Sequence, residues 1–417
     1  MPPSNTDWYG FMSATRKHLP VIAAIGALSM GLGGCAAVPD LGPKPLPRAA
    51  DTIEAERSFA GATAQWPGDT WWTAYGDPEL NALIEEGLTN SPDMDAASAR
   101  FRKAAGMAQQ AGAALLPSVD AGAKASLNKQ SYNNGFPKEF VPHGWLDNGE
   151  INTSVGFDLD LWGKNRAALA AATSEVNAAQ YDVQQARLAL ATGIADAYTD
   201  LARLYEERDI QQATLKLRTS SHDLVAKRQR NGLETRGSER QADATVATAR
   251  ANLAAAQEAI TLRTNQLAAL VGAGPDRGLN ITRPTLAALS ALSAPGATNL
   301  PQGVTTELVA RRPDIAAALA RVEAAGSRIK VAKADFYPSV SLNALIGLQS
   351  LGLDNLLKGG SLYGNVGPAV SLPIFHGGAI AGQYRGARAT YDEAVANYDK
   401  TVLGAYQDVA DAMTSRA

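Results

Sequence analysis

Few side chains in this 417-residue sequence have the type and spacing that chemistry requires. The single cysteine, Cys35, closes the run Leu32-Gly33-Gly34-Cys35, and with no second thiol a disulfide is excluded. The four histidines, His18, His143, His222 and His376, are scattered and lack metal-ligand spacing. Gly272-Ala273-Gly274-Pro275 reads as a helix stop, not a phosphate cradle, and no nucleophile elbow or paired-carboxylate context occurs. Arg311-Arg312-Pro313-Asp314 combines a proline with an acidic residue where a helix begins, which suits capping better than ligand binding. Asp120, Lys124, Asp158 and Asp160 alternate with apolar residues, a pattern for lining a polar surface. No enzyme, cofactor or metal is expected from this set.

Positioning elements come next. The chain is 46% apolar but only 6% aromatic, and alanine recurs throughout, which favours closely approaching helices over a large globular core. With 38 basic against 41 acidic residues, no charge excess points to nucleic acid. Residues 1–34 read as a cleavable leader: Arg16, Lys17 and His18 precede the apolar run Leu19 to Leu32, which is too short to span a bilayer. The boundary at Cys35 resembles the bacterial lipobox, whose thiol takes a diacylglyceryl group. Residues 35–70 then form a lipid anchor and tether, extended by Pro39, Pro43, Pro45 and Pro47.

The sequence repeats itself. Leu116-Pro117-Ser118-Val119 returns as Tyr337-Pro338-Ser339-Val340, and Leu159-Asp160-Leu161-Trp162-Gly163 has a looser counterpart in Leu372-Pro373-Ile374-Phe375-His376-Gly377, at separations of about 210 to 220 residues. In the first copy (71–275) period-two alternation places strands near 118–128 and 151–162. Val119, Ala121, Ala123, Ala125 and Leu127 share one face, as do Val155, Phe157, Leu159 and Leu161. A linker at 276–302 leads to the second copy (303–417), with strands near 338–348 and 364–375, Pro368 interrupting the latter, and a helix from 378. Such hairpins suit a soluble sandwich as well as a membrane barrel. Four strands cannot close a lumen, and lipid tolerates no open edge, so a barrel reading requires several chains; three would supply about twelve strands.

Helical segments flank the hairpins. Ala179, Val183, Ala186, Leu190, Gly193, Ala197, Leu201 and Leu204 recur at three and four, as do Ala242, Val246, Ala249, Leu253, Ala256, Ile260, Leu267 and Leu270, with Arg263 breaking the second seam. The two form an antiparallel hairpin over 163–271 about a turn at Arg228 to Gly237. An unbroken first helix would be about 100 Å long.

The chain resembles the outer-membrane factors of tripartite efflux systems, the TolC/OprM/NodT family. The resemblance is carried by Trp71-Trp72, Asp77-Pro78-Glu79-Leu80, Asn90-Ser91-Pro92-Asp93, Asp158 to Lys164, and Leu300-Pro301-x-Gly303 with Leu308 to Ile315. It implies a mixed fold: a membrane β-barrel continued by a long α-helical periplasmic barrel, two tandem repeats of helix, β-hairpin and long helix, with four strands per protomer and a homotrimer forming a twelve-stranded barrel. It further implies an exit duct in outer-membrane lipid, fed by an inner-membrane RND-type pump through a periplasmic adaptor that meets the helix tips. Arg228, Arg230, Gly232, Leu233, Thr235 and Gln241 occupy the tip positions, while Ser238 stands where the family usually shows aspartate. Asp120, Lys124, Asp158 and Asp160 would face the lumen.

By analogy with the first copy, the final helix from about Gly378 would run roughly 65 residues and be followed by a return helix, so a second repeat ending at Ala417 is expected to be cut short. A lipid-anchored periplasmic adaptor or scaffold with one coiled hairpin is the alternative. The tandem repeat of strand-hairpin units distinguishes the two.

Overall fold

The computed structural model describes residues 38–49, 52–54, 68–133, 135, 137–285 and 311–415. The leader, Cys35, the linker beyond residue 285 and the motif from Leu300 to Ala310 lie outside the described residues.

Helix α1 (Pro78–Asn90) starts where its sequence says it should: Asp77 accepts the amides of Glu79 at 2.8 Å and Leu80 at 3.4 Å, and Pro78 takes the first helical position. Helix α2 (Pro92–Ala113) leads into strands β1 (Ser118–Asn128) and β2 (Leu146–Asp158), followed by α3 (Lys164–Arg230) and α4 (Arg236–Leu270). The order then repeats as α5 (Pro313–Ala334), β3 (Ser339–Leu351), β4 (Leu362–Ser371) and α6 (Ala379–Thr414). Among the described residues no helix is long and apolar enough to cross a membrane.

All four strands join one antiparallel sheet in the order β1-β2-β3-β4. Strand β1 has the bounds that its alternation predicts. Strand β2 is displaced from the expected 151–162: it begins at Leu146 and ends at Asp158, so Leu159, Asp160 and Leu161 leave the strand. Strand β4 likewise stops at Ser371 instead of running to 375. Pro368 does not interrupt it; it sits opposite Leu342 within the ladder.

The chain divides into two compact units. One comprises residues up to Leu46, Ala104–Val176 and Ala320–Asn397, and contains the whole sheet. Its helical core uses Ala167 and Ala171 of α3, Val322, Ala325, Ile329 and Ala332 of α5, and Tyr391 and Val395 of α6. The part of the proline-rich segment in this unit is held by α6: Arg388 Nη1 donates to Gly42 O at 3.1 Å and Tyr391 Oη to Pro45 O at 3.1 Å.

The other unit comprises Pro47–Lys103, Asn177–Leu319 and Tyr398–Ala417. Its core joins Trp72, Leu80, Leu83 and Ile84 to Ile194, Tyr198, Leu201, Leu267 and Val271. Both heptad seams are buried or half-buried along their length. Arg263, the break in the second seam, pairs with Asp200 of α3 at 2.5 Å, so a charge pair fills the position where an apolar knob is missing.

Candidate functional site

The sheet is built with two unlike faces. Strict registry places Ser118, Asp120, Lys124 and Ser126 of β1 beside Gly156, Ser154, Glu150 and Asn148 of β2. Asn343 and Gln349 of β3 and Asn365 of β4 continue that polar face. Glu150 is held there by Asn152 Nδ2 at 2.6 Å and Tyr363 Oη at 2.5 Å. The opposite face carries Val119 and Leu127, then Ile151, Leu342 and Ile346, then Leu362, Val366 and Val370. These apolar side chains are open: Val119 is 66% exposed and Val366 85%. A sandwich would cover them with a second sheet, and among the described residues all strands belong to this one sheet. An uncovered apolar face opposite a hydrogen-bonded polar face is the arrangement of a wall between lipid and water.

Asp158 ends β2 on the polar face, in register with Ser341. Asp160, expected on a strand, lies beyond the end of β2 at Asp158. Its backbone turns left-handed, with φ +44°, and its side chain is 7% exposed. The carboxylate accepts the amides of Asn165 at 2.8 Å and Arg166 at 3.0 Å, and the Arg166 Nε at 3.1 Å. Asp160 therefore caps the start of α3. Burial alone would raise its pKa, but the two amides and the guanidinium hold it below the usual carboxylate value. The Leu-Asp-Leu alternation mimicked a strand because period two carries no information on where the backbone turns.

Two aromatic residues from the two repeats close this joint. Trp162 stacks on Tyr337 at 4.9 Å, and its Nε1 donates to Pro338 O at 2.6 Å. Lys164 pairs with Asp335 at 2.6 Å. A cleft of about 470 Å³ lies here, lined by Asp158, Trp162, Tyr337 and His376 among others.

The turn between α3 and α4 is short and regular. Gly232 adopts φ +73°, and the amides of Gly232 and Leu233 return to Gln229 O at 2.9 Å and Arg228 O at 2.8 Å. This glycine-terminated stop meets the C-cap requirement. Thr235 then caps α4 by accepting Ser238 N at 3.1 Å, and the two hydroxyls lie 3.0 Å apart. Ser238 thus supports the turn in the absence of the aspartate expected there. Arg228 approaches Glu234 at 3.6 Å, Arg230 Nε donates to Ala226 O at 3.3 Å, Leu233 is 68% exposed, and Gln241 is exposed. Arg312 is committed elsewhere, to Asp314 at 2.7 Å and Asp408 at 2.9 Å.

The sequence reading missed Glu150, Asn152 and Tyr363 on the polar face. Glu150 fell outside a strand assumed to begin at 151, although Asn148, Glu150 and Asn152 alternate in phase with it. Tyr363 carried no signal, because its role depends on pairing with Gly347 across the sheet.

The outer membrane efflux protein family matches residues 83–273 and 304–417. Over 376 residues the chain is 34% identical to the fusaric acid resistance protein FusA of Burkholderia cepacia, covering 88% of this chain and 69% of FusA. It is 31% identical over 360 residues to the multidrug resistance outer membrane protein MdtP of Escherichia coli K12, covering 84% and 72% respectively. The outer membrane protein VceC of Vibrio cholerae superimposes with a TM-score of 0.75 at 43% identity, covering 84% of this chain and 82% of VceC. The two-faced sheet and these matches agree: the chain belongs to the outer membrane efflux protein family, and it is a TolC-like exit duct of the outer membrane.

Proposed function

We propose that three copies of this chain assemble into one twelve-stranded barrel, and that it passes small molecules received from a periplasmic adaptor and an inner-membrane RND-type pump. The observation that carries this reading is the four-stranded sheet with an uncovered apolar face and two free edges, β1 and β4. Lipid tolerates neither an open edge nor a half-closed wall, so sister copies must complete it. Asp120, Lys124, Asp158 and Glu150 then line the lumen, whereas Asp160 serves the joint. Transport through such a duct breaks no covalent bond, which suits a chain without a catalytic constellation.

Cys35 would carry the lipid that anchors the chain. The turn residues Arg228, Arg230, Gly232, Leu233, Thr235 and Gln241 would meet the adaptor, with Leu233 as the exposed apolar contact. Native mass measurement in detergent, with outer-membrane fractionation and heat-modifiable migration, tests the assembly. A trimer that unfolds with a mobility shift is expected. A monomer that dissolves in buffer without detergent after acyl removal would overturn it.

A further inference from the structure

The cleft at the Trp162–Tyr337 joint lies wholly within the unit that holds the sheet. Among the strand residues that line it, Asp158, Ser339 and Ser371 belong to the polar face and Val340 alone to the apolar one. The cleft therefore stands at the foot of the polar face. Its volume of about 470 Å³ falls within the range of small-molecule sites, roughly 300–1,000 Å³.

Charge in the cleft is unevenly answered. Asp335 takes Lys164 at 2.6 Å, and Asp160 takes Arg166 together with the amides that it caps. Asp158 accepts the Asp160 amide at 2.9 Å and Asn165 Nδ2 at 3.4 Å, both uncharged donors, and no cationic side chain pairs with it among the described residues. Trp162 and Tyr337, stacked on each other and both exposed, line the same cleft, and Leu161 and Ile380 add apolar surface. A carboxylate without a counter-ion and the faces of aromatic rings attract the same kind of ligand, a cation. The apolar walls favour one that carries a hydrocarbon body.

We propose that this cleft binds amphiphilic organic cations, with a flat aromatic body against Trp162 and Tyr337 and the positive charge toward Asp158. Anions of the same shape are repelled by that carboxylate. The inference rests on the duct reading for its meaning: if the polar face fronts the water-filled passage, the cleft is a resting place in the wall for cationic cargo.

Fluorescence anisotropy tests it, with ethidium as the cationic probe and fluorescein as the anionic one, titrated into the full chain purified in detergent. About pH 8 keeps His376, which also lines the cleft, out of the charge balance. The parent chain should bind ethidium in preference to fluorescein. Asp158→Asn should bind ethidium about fivefold more weakly, the effect of losing one partly exposed ion pair, and Asp158→Glu should retain most of the affinity. Asp120 pairs with Ser154, four residues or about 13 Å up β2 from Asp158, beyond the ~8 Å screening length at physiological salt. Asp120→Asn, which removes the same charge, should therefore weaken binding by less than about twofold. Ser371→Asp adds a second carboxylate to the lining and should tighten ethidium about threefold, a gain that tests the cleft even if Asp158→Asn fails to fold. Equal weakening by Asp120→Asn and Asp158→Asn overturns the cleft in favour of the general field of the polar face. Ethidium affinity indifferent to Asp158→Asn and Ser371→Asp, in a chain that forms channels in planar bilayers, overturns the cleft alone. A chain that forms no channels, but whose ethidium affinity follows these two positions, keeps the cleft and removes the duct reading.

Discussion

The hydroxyl of Tyr198 donates to the carboxylate of Asp77 at 2.9 Å, across 121 positions of sequence. Asp77 also accepts the amides of Glu79, Leu80 and Thr285, the last at 3.1 Å, so one buried carboxylate joins the cap of α1 to α3 and to the segment after α4. Tyr198 is wholly buried in the same core. Tyr198→Phe keeps the ring and deletes the donor to a charged acceptor. It should cost about 1.5–3 kcal/mol of stability. Thermal unfolding followed by circular dichroism in detergent reads this directly, and a loss of only a few tenths would mean the bond contributes little.

The same carboxylate sets a pH dependence. Burial pushes Asp77 upward, but the Thr285 amide, the Tyr198 hydroxyl and the capped amides outweigh it, and its folded pKa lies below the ordinary 3.8. A depressed carboxylate adds stability that is fully present above its unfolded value and is lost as pH falls toward the folded one. Stability should therefore decline as the solution is acidified below 3.8, and Asp77→Asn should flatten that decline while lowering stability at neutral pH. An acid limb identical in the variant and the parent chain would refute the assignment.

Gly272 ends α4 with φ +78°, and a β-carbon there would lie 2.3 Å from the carbonyl oxygen of Asn90. Both the backbone conformation and the close approach exclude a side chain. Gly272→Ala should destabilise the protein by more than the ~1–3 kcal/mol typical of overpacking, because the obstacle is backbone and cannot rotate away. Yield of heat-modifiable protein in the outer membrane is the measurement, and wild-type yield would contradict the close contact.

Asp160→Ala removes the cap of α3 and should cost about 0.5–2 kcal/mol. Asp160→Asn retains an oxygen acceptor and tolerates the left-handed backbone, so it should lose less. Hydrogen exchange at Asn165 and Arg166 distinguishes capping from pore lining: faster exchange at these two amides is expected, with single-channel conductance unchanged. A conductance change without faster exchange would return Asp160 to the lumen.

Leu233 makes no contribution to the cores of the described residues and is open to solvent. Leu233→Asp should leave thermal stability within about 0.5 kcal/mol of the parent, as at most surface sites. If the turn meets the adaptor, capture of the cognate adaptor by the purified duct should fall at least about tenfold, a loss that matches removal of one apolar anchor. Unimpaired capture would place the adaptor elsewhere.

The sequence by itself determined much of this protein. Alternation of Val119, Ala121, Ala123, Ala125 and Leu127 marked β1 residue for residue, and the spacing of Leu190, Ala197, Leu201, Val246, Ala249 and Leu267 marked the helix seams, because local periodicity is imposed by backbone geometry that each segment carries with it. The repeat was legible because both copies kept their strand-opening Pro-Ser-Val. What lay beyond local periodicity was decided by the tertiary structure. Asp160 and Leu161 continued the strand pattern on paper, yet a left-handed residue and two waiting amides turned the chain into α3. Glu150 met Tyr363, and Asp77 met Tyr198, through pairings between segments far apart in sequence, which no window of neighbouring residues encodes. Pro368 looked like a strand breaker, but only the pairing register reveals that it lies opposite Leu342 on the outermost strand of the sheet, where a proline leaves the ladder intact.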